Sequence, residues 1–171
     1  MPQERIKLAV VGGHRGASFA QALEALSEQA ELTAICDLAE DVRLKWKERY
    51  PHIQTFASYD DLLERGDCTA VFICTPLQLH AAQAVEALKA GKDVLSEVVA
   101  ATTLDDCWRL VETVEKTGRT YMLAENYCYM RANMMVLNMV EQGVFGETTY
   151  AEGAYIHDCR ALLLNDRDEL T

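Results

Sequence analysis

The sequence has little positive charge and no long apolar run, and both deficits narrow the range of partners. Its 171 residues include 16 Lys or Arg against 27 Asp or Glu, a formal net charge of −11. Nucleic acids and anionic membranes bind basic surfaces, so we expect neither as a partner. Apolar runs such as Leu8 to Val11 are too short to span a bilayer. No signal-peptide-like segment follows Met1, which favours a cytoplasmic protein.

Cysteine pairs are also missing. The six cysteines are scattered without a C-x-x-C spacing, and several lie in apolar runs, as buried free thiols do. This distribution supports neither a disulfide framework nor a zinc site. His157 and Cys159 flank Asp158, but no fourth ligand has a useful spacing, so we expect no metal.

The sequence does contain an alternation of apolar, β-branched runs with helical patterns. The run Thr69 to Cys74 is almost entirely apolar, as in a parallel strand buried on both faces. Ser58 and Thr103 are suited to capping the helices that follow them. Six repeats of this alternation predict an α/β fold, a Rossmann-type doubly wound parallel sheet. The predicted strands are residues 6–11, 32–36, 53–56, 69–74, 94–96 and 120–124.

The last part of the chain has a different pattern. Met130 to Gln142 has the spacing of one Met-rich helix, whose stripe of Met130, Met134 and Leu137 we expect in a core. Glu147 to His157 alternates as a strand does. One helix and one strand cannot bury two faces, and an unpaired strand exposes open backbone groups.

The chain therefore divides into a predicted nucleotide-binding domain, 1–124, and the beginning of a truncated C-terminal α/β domain for substrate and oligomerisation, 125–171. We expect either a fragment of a longer enzyme or a last strand that pairs with another subunit, giving a homo-oligomer through the C-terminal strand region.

A glycine-rich turn follows the first strand and supplies the strongest local signal. In this glycine turn, Gly12 to Gly16, Gly13 and Gly16 form a G-x-x-G, while Val11 stands where G-x-G-x-x-G has its first glycine. Closely spaced glycines before a helix bring backbone N–H groups to a pyrophosphate. Asp37 ends the next strand, where a carboxylate binds ribose hydroxyls and favours NAD. Arg15 leaves NADP open, and a plain tight turn with a capping Asp37 is the alternative.

Further polar groups follow the later strands at the same predicted edge of the sheet. Thr75 and Pro76 follow the fourth strand, with His80 in the first turn of the next helix, Glu97 follows the fifth, and Asn126 follows the sixth. Each alone fits a cap or a solvated turn. Together they favour a bound cofactor along a crevice.

Several segments resemble the glucose–fructose oxidoreductase/inositol dehydrogenase (Gfo/Idh/MocA) family: the glycine turn, CTPLQLHAAQAVEALKAGKDVLSEV, AENYCYMR and EQGVFGE. The resemblance implies an N-terminal Rossmann domain and a C-terminal α/β domain that holds the substrate. It also implies hydride transfer between NAD(P) and a hydroxyl of a sugar or cyclitol. The family usually has Glu-Lys-Pro after the fifth strand, whereas this chain has Glu97-Val98-Val99, and valine cannot move a proton.

The missing lysine is shared by a branch of that family, the NAD-dependent α-N-acetylgalactosaminidases. This chain resembles them in SEV, ENYCYMR, MMVLNMV, GVFGE and GAYIHDCR. In such enzymes NAD oxidises the sugar's C3 hydroxyl, the aglycone is eliminated, water adds, and the hydride returns. The resemblance implies a substrate contact at Tyr155. Together with the glycine turn and the polar residues that follow the strands, the resemblance gives a predicted cofactor-binding set. Its members are Gly12, Gly13, His14, Arg15, Gly16, Asp37, Thr75, Pro76, Leu77, His80, Glu97, Val98 and Asn126.

Tyr155 and His157 fall on one face of the predicted last strand and are the candidate catalytic residues. A phenol beside an imidazole can bind a sugar hydroxyl or relay its proton. Packing of Tyr155 on a sheet face, with a surface His157, is the alternative.

Three functions stay open at this point: an NAD(P)-dependent oxidoreductase of sugar-like polyols, a redox-neutral glycosidase, and a non-catalytic nucleotide-binding module.

Overall fold

The computed structural model describes residues 5–156 and 158, and the chain divides into two compact units, Met1–Glu125 and Asn126–Thr171. The first unit is a six-stranded parallel sheet with helices between successive strands. Its strand order is β3-β2-β1-β4-β5-β6. The strands are β1 (Ile6–Val11), β2 (Ala30–Cys36), β3 (Gln54–Phe56), β4 (Ala70–Ile73), β5 (Asp93–Ser96) and β6 (Tyr121–Leu123).

This order confirms the predicted doubly wound sheet. From β1 the chain moves outwards through β2 and β3, then returns to the other side of β1 to add β4, β5 and β6. The reversal leaves a crevice at the carboxyl ends of β1 and β4. The helices are α1 (Gly13–Gly16), α2 (Ala20–Ala25), α3 (Glu40–Arg49), α4 (Tyr59–Arg65), α5 (His80–Lys89), α6 (Leu104–Thr117) and α7 (Arg131–Glu141), with 3-10 turns at Ala17–Phe19, Leu77–Leu79 and Tyr127–Tyr129.

The central strands are apolar because both of their faces are covered. Val10, Val71 and Ile73 are fully buried, and every residue of β4 is buried. Ser58 and Thr103 cap α4 and α6 as predicted, because each side-chain oxygen accepts a hydrogen bond from the backbone N–H three residues later.

The segment after the glycine turn is built from short pieces of helix. Phe19, Leu23 and Leu26 have helical spacing, and a 3-10 turn at Ala17–Phe19 divides the segment into α1 and α2. Phe19 and Leu23 pack against a core cluster, whereas Leu26 lies beyond α2 and is half exposed.

The second unit corrects two expectations. The helix α7 forms, but Met130, Met134 and Leu137 are exposed, so their predicted place in a core is wrong for this structure. Residues 147–156 form no strand, because a strand needs a hydrogen-bonded neighbour and the described residues of this unit supply none. His157 lies outside the described residues.

Among the residues that the structure describes, no helix is long and apolar enough to cross a membrane. The five described cysteines are free thiols, as the sequence predicts.

Candidate functional site

A pocket of about 540 Å³ lies beside the carboxyl ends of β1, β2 and β4. The predicted residues Gly12, His14, Arg15, Asp37, Thr75 and Pro76 line it. Leu77, Glu97 and Val98 do not. The remaining lining residues are Val11, Cys36, Leu38, Ala57, Tyr59, Cys74, Leu79 and Gln83.

Gly12 sets the shape of the pocket wall after β1. Its φ is +91°, a conformation that residues with a Cβ rarely adopt. A Cβ here would lie 2.6 Å from the carbonyl oxygen of Cys74. The Gly12 N–H donates to the carbonyl of Cys36 at 2.9 Å. The turn is therefore pressed against the ends of both neighbouring strands.

Gly13 and Gly16 are needed where α1 packs onto the sheet and onto α3. A Cβ on Gly13 would lie 2.7 Å from Val42 Cγ1, and one on Gly16 would lie 2.4 Å from Val10 Cγ1. Trp46 of α3 packs against Gly13 and donates a hydrogen bond from Nε1 to the Gly13 carbonyl at 2.9 Å. Neither glycine faces the pocket, so both shape the turn from behind.

The Asp37 carboxylate connects the end of β2 to the glycine turn. Its Oδ2 accepts a hydrogen bond from the Gly13 N–H at 2.7 Å, and its Oδ1 accepts one from the Ala39 N–H at 2.9 Å. Arg43 donates to the Asp37 backbone carbonyl at 2.7 Å. Each carboxylate oxygen has a second acceptor position, so Asp37 keeps capacity for a ligand hydroxyl.

Arg15 and Glu97 form an ion pair at 3.0 Å between the glycine turn and the segment after β5. The Glu97 side chain is 11% exposed and that of Arg15 is 56% exposed. The guanidinium also lies over the Phe19 ring, 5.1 Å from its centre. The Arg15 charge is thus already matched by a buried carboxylate.

The far wall of the pocket is a small network on α5 and α4. Thr75 donates from Oγ1 to Gln83 Oε1 at 2.6 Å, and the Tyr59 hydroxyl donates to the Gln83 carbonyl at 2.7 Å. Burial raises the pKa of Tyr59 and raises the pKa of Cys36 to about 11 and that of Cys74 to about 12. These groups stay protonated at neutral pH and act as neutral walls rather than nucleophiles.

His80 lies behind the pocket wall. It is 1% exposed and does not line the pocket. Its Nδ1 lies 2.8 Å from the Val99 carbonyl and its Nε2 lies 2.7 Å from the Thr75 carbonyl. Both ring nitrogens thus face backbone oxygens, and the cofactor contact of His80 stays a prediction.

Eight pocket residues were not among the predicted site residues: Val11, Cys36, Leu38, Ala57, Tyr59, Cys74, Leu79 and Gln83. Gln83 lies one helical turn beyond Leu79, and that spacing was a usable signal. Leu38 directly follows Asp37, so its position in the sequence was also a usable signal for a place in the pocket. Ala57 and Tyr59 follow β3, the short strand next to β2, and only the sheet order brings them to this edge.

The second unit holds the remaining candidates. Asn126 is exposed just before the 3-10 turn at Tyr127–Tyr129. The Tyr127 and Tyr155 rings meet edge to face with centres 5.0 Å apart. Asn133 donates from Nδ2 to the Tyr127 carbonyl at 2.6 Å, which fixes that turn to α7. Tyr155 is two-thirds exposed and presents its ring beside that of Tyr127.

Comparison with known families gives two matches along the chain. Residues 6–125 match the family described as "Oxidoreductase family, NAD-binding Rossmann fold" (GFO_IDH_MocA). Residues 129–171 match the "Glycosyl hydrolase 109, C-terminal domain".

Curated relatives resemble the chain from end to end. An α-N-acetylgalactosaminidase of Bacteroides fragilis is 38% identical over 98% of this chain, and a glycosyl hydrolase family 109 protein of Solibacter usitatus is 40% identical over 98%. The chain spans 41% of the length of each.

Solved structures share the fold over most of this chain. The WlbA dehydrogenase of Bordetella pertussis, in complex with NADH and UDP-GlcNAcA, has a TM-score of 0.79 at 28% identity, covering 84% of this chain and 44% of that one. The apo scyllo-inositol dehydrogenase of Lactobacillus casei has a TM-score of 0.79 at 26% identity, covering 86% and 44%.

Proposed function

Because the chain belongs to the oxidoreductase family with the NAD-binding Rossmann fold (GFO_IDH_MocA), we propose that its pocket binds NAD for redox chemistry at a hydroxyl of a sugar-like molecule. The observation that carries this proposal is the contact between Asp37 Oδ2 and the Gly13 N–H at 2.7 Å. This hydrogen bond joins the carboxylate that would bind the ribose to the glycine turn that would bind the pyrophosphate.

The residues present fit a dinucleotide. Gly12 lines the pocket, and only a glycine fits there because a Cβ would clash with the Cys74 backbone. His14 and Arg15 line the pocket and belong to the first turn of α1, whose N–H groups have no acceptor within the helix. The Gly13 N–H bonds to Asp37, so the N–H groups of His14 and Arg15 are the donors for a pyrophosphate. Asp37 accepts from the ribose hydroxyls with the acceptor positions that Gly13 and Ala39 leave open.

NAD, when bound, accepts a hydrogen and its electron pair from a carbon that carries a hydroxyl group. The chain's own part is to hold the dinucleotide and to orient the substrate. Val98 offers no group that could take the hydroxyl proton, so that task falls to another residue. We propose Tyr155 for substrate contact and proton transfer, since its phenol is exposed. His157, the second catalytic candidate, lies outside the described residues, and its role remains a proposal from the sequence.

A second candidate function is cleavage of a glycosidic bond with no net oxidation. Two observations favour it: Val98 replaces the family's usual lysine, and residues 129–171 match the glycosyl hydrolase 109 C-terminal domain. Because the chain spans 41% of those curated relatives, the activity of the whole protein is a proposal in both cases.

Two measurements separate these functions. Fluorescence titration with NAD and NADP tests the site, and absence of binding at millimolar dinucleotide would contradict both functions. A chromogenic α-N-acetylgalactosaminide then tests the reaction. Release of the chromophore without growth of NADH absorbance supports the glycosidase, whereas NADH formed from free sugars or cyclitols supports the dehydrogenase. NAD binding without either reaction supports a nucleotide-binding module.

We further propose a cytoplasmic homo-oligomer without nucleic-acid or membrane partners. The net charge of −11 supports the absence of anionic partners. The exposed apolar residues of α7 support self-association through the second unit. Sedimentation velocity of the full chain tests the oligomer, and a monomer at all concentrations would contradict it.

A further inference from the structure

His80 does not line the pocket, but it contacts two segments at the edge of the pocket. It opens α5, and its ring lies between the Thr75 carbonyl, 2.7 Å from Nε2, and the Val99 carbonyl, 2.8 Å from Nδ1. Both oxygens are backbone acceptors, so neither can donate a proton to the ring.

The ring is a bridge between the two segments. Its N–H groups are the only donors at this point, and both N···O distances lie within hydrogen-bond range. The residue is 1% exposed, so the bridge lies in the interior. We infer that His80 is a positioning residue that fixes the Glu97–Val99 segment to the Thr75 turn.

This position matters because the Glu97–Val99 segment is held from two sides. His80 bonds its Val99 carbonyl in the interior, and Arg15 pairs with Glu97 at the pocket mouth. Thr75 and Arg15 both line the pocket. Val98 lies between the two attachment points, where the family usually has its lysine. His80 therefore sets the backbone of two pocket-edge segments at once.

The consequence for cofactor affinity rests on the proposed function, whereas the exchange of the backbone amides does not. Four variants of the full chain separate the two hydrogen bonds. His80→Leu removes both donors. His80→Gln places its amide nitrogen near the position of Nε2 and keeps the bond to Thr75, and His80→Asn places it near Nδ1 and keeps the bond to Val99. His52→Gln is the matched control, since His52 is exposed and contacts a single carbonyl, that of Leu32, at 3.2 Å.

Hydrogen–deuterium exchange by mass spectrometry reads the backbone of each variant. We expect His80→Leu to speed exchange in residues 75–79 and 97–101, His80→Gln only in 97–101, and His80→Asn only in 75–79. The NAD dissociation constant should rise about tenfold or more for His80→Leu and less for the two amide variants.

Exchange in His80→Leu that matches His52→Gln would overturn the inference. If His80→Leu fails to fold, the two amide variants decide, and exchange in both that matches His52→Gln would overturn it. If the wild type binds no NAD, the proposed function fails, while the exchange pattern still tests His80.

Discussion

Asp37 and Gly13 are joined by a 2.7 Å hydrogen bond from the Gly13 N–H to the Asp37 carboxylate, which connects the end of β2 to the turn after β1. Two features that the sequence places 24 residues apart thus form one wall of the pocket. The carboxylate that we propose for ribose binding is held in place before a ligand arrives, which reduces the cost of ordering it on binding.

Replacing Asp37 should change both affinity and nucleotide preference. Asp37→Ala removes the acceptors for the ribose hydroxyls and should weaken NAD binding by about 1.5–3 kcal/mol. Asp37→Asn removes the negative charge that repels a 2′-phosphate and should raise the ratio of NADP to NAD affinity. Fluorescence titration measures both. Asp67→Asn, which breaks only an exposed pair with Lys7, is the control, and an unchanged affinity in Asp37→Ala would contradict the assigned role.

The Arg15–Glu97 pair leads to a separate prediction about NADP. Glu97→Gln should free the Arg15 guanidinium from its carboxylate and improve NADP binding several-fold, while NAD binding changes less. The double variant Arg15→Gln/Glu97→Gln should lose that gain, because the Arg15 cation is removed. Equal NADP affinity in the single and double variants would show that Arg15 does not reach the 2′ position.

Gly16 should tolerate no side chain. Gly16→Ala would place a Cβ 2.4 Å from Val10 Cγ1 on a fully buried strand, so overpacking should cost about 1–3 kcal/mol of unfolding free energy. Gly153→Ala, which meets nothing within 4 Å, should be close to neutral. Urea denaturation measures both, and similar midpoints for the two variants would contradict the packing argument.

The two tryptophans form a natural matched pair. Trp46→Phe removes the buried hydrogen bond to the Gly13 carbonyl and should lower the unfolding free energy by about 1–3 kcal/mol. It should also weaken NAD binding, because the turn loses its support. Trp108→Phe changes a side chain that is 67% exposed and should affect neither quantity. The idea fails if Trp46→Phe retains both wild-type stability and wild-type affinity.

The buried thiols predict a loss of stability at high pH. Burial raises the pKa of Cys36 from 9.0 to about 11 and that of Cys74 from 9.0 to about 12. Above pH 9 the unfolded chain releases these protons while the folded chain keeps them, so stability should fall as pH rises from 9 towards 12. Urea denaturation across this range, with Cys36→Ala/Cys74→Ala as the comparison, measures the effect. An equal pH slope in the double variant would assign the loss to other groups.

Much of the first unit follows from local patterns. The six strands, the caps at Ser58 and Thr103, and the place of Asp37 after β2 are all set by residue type and spacing. Periodicity failed at Met134 and Leu137, where a stripe with core spacing is exposed in the described structure.

The sequence by itself determined the doubly wound sheet, the glycine turn and the carboxylate beside it. The sheet depends on the alternation of apolar runs with helical patterns, the turn on its glycines, and the place of Asp37 on the end of a strand. Only the tertiary structure decided which polar groups face the pocket. The hydrogen-bond partners come from distant parts of the chain. Glu97 pairs with Arg15, and the ring of His80 contacts two backbone carbonyls. A position at the carboxyl edge therefore made His80 a candidate for binding, and its partners made it a support for the segments around the pocket.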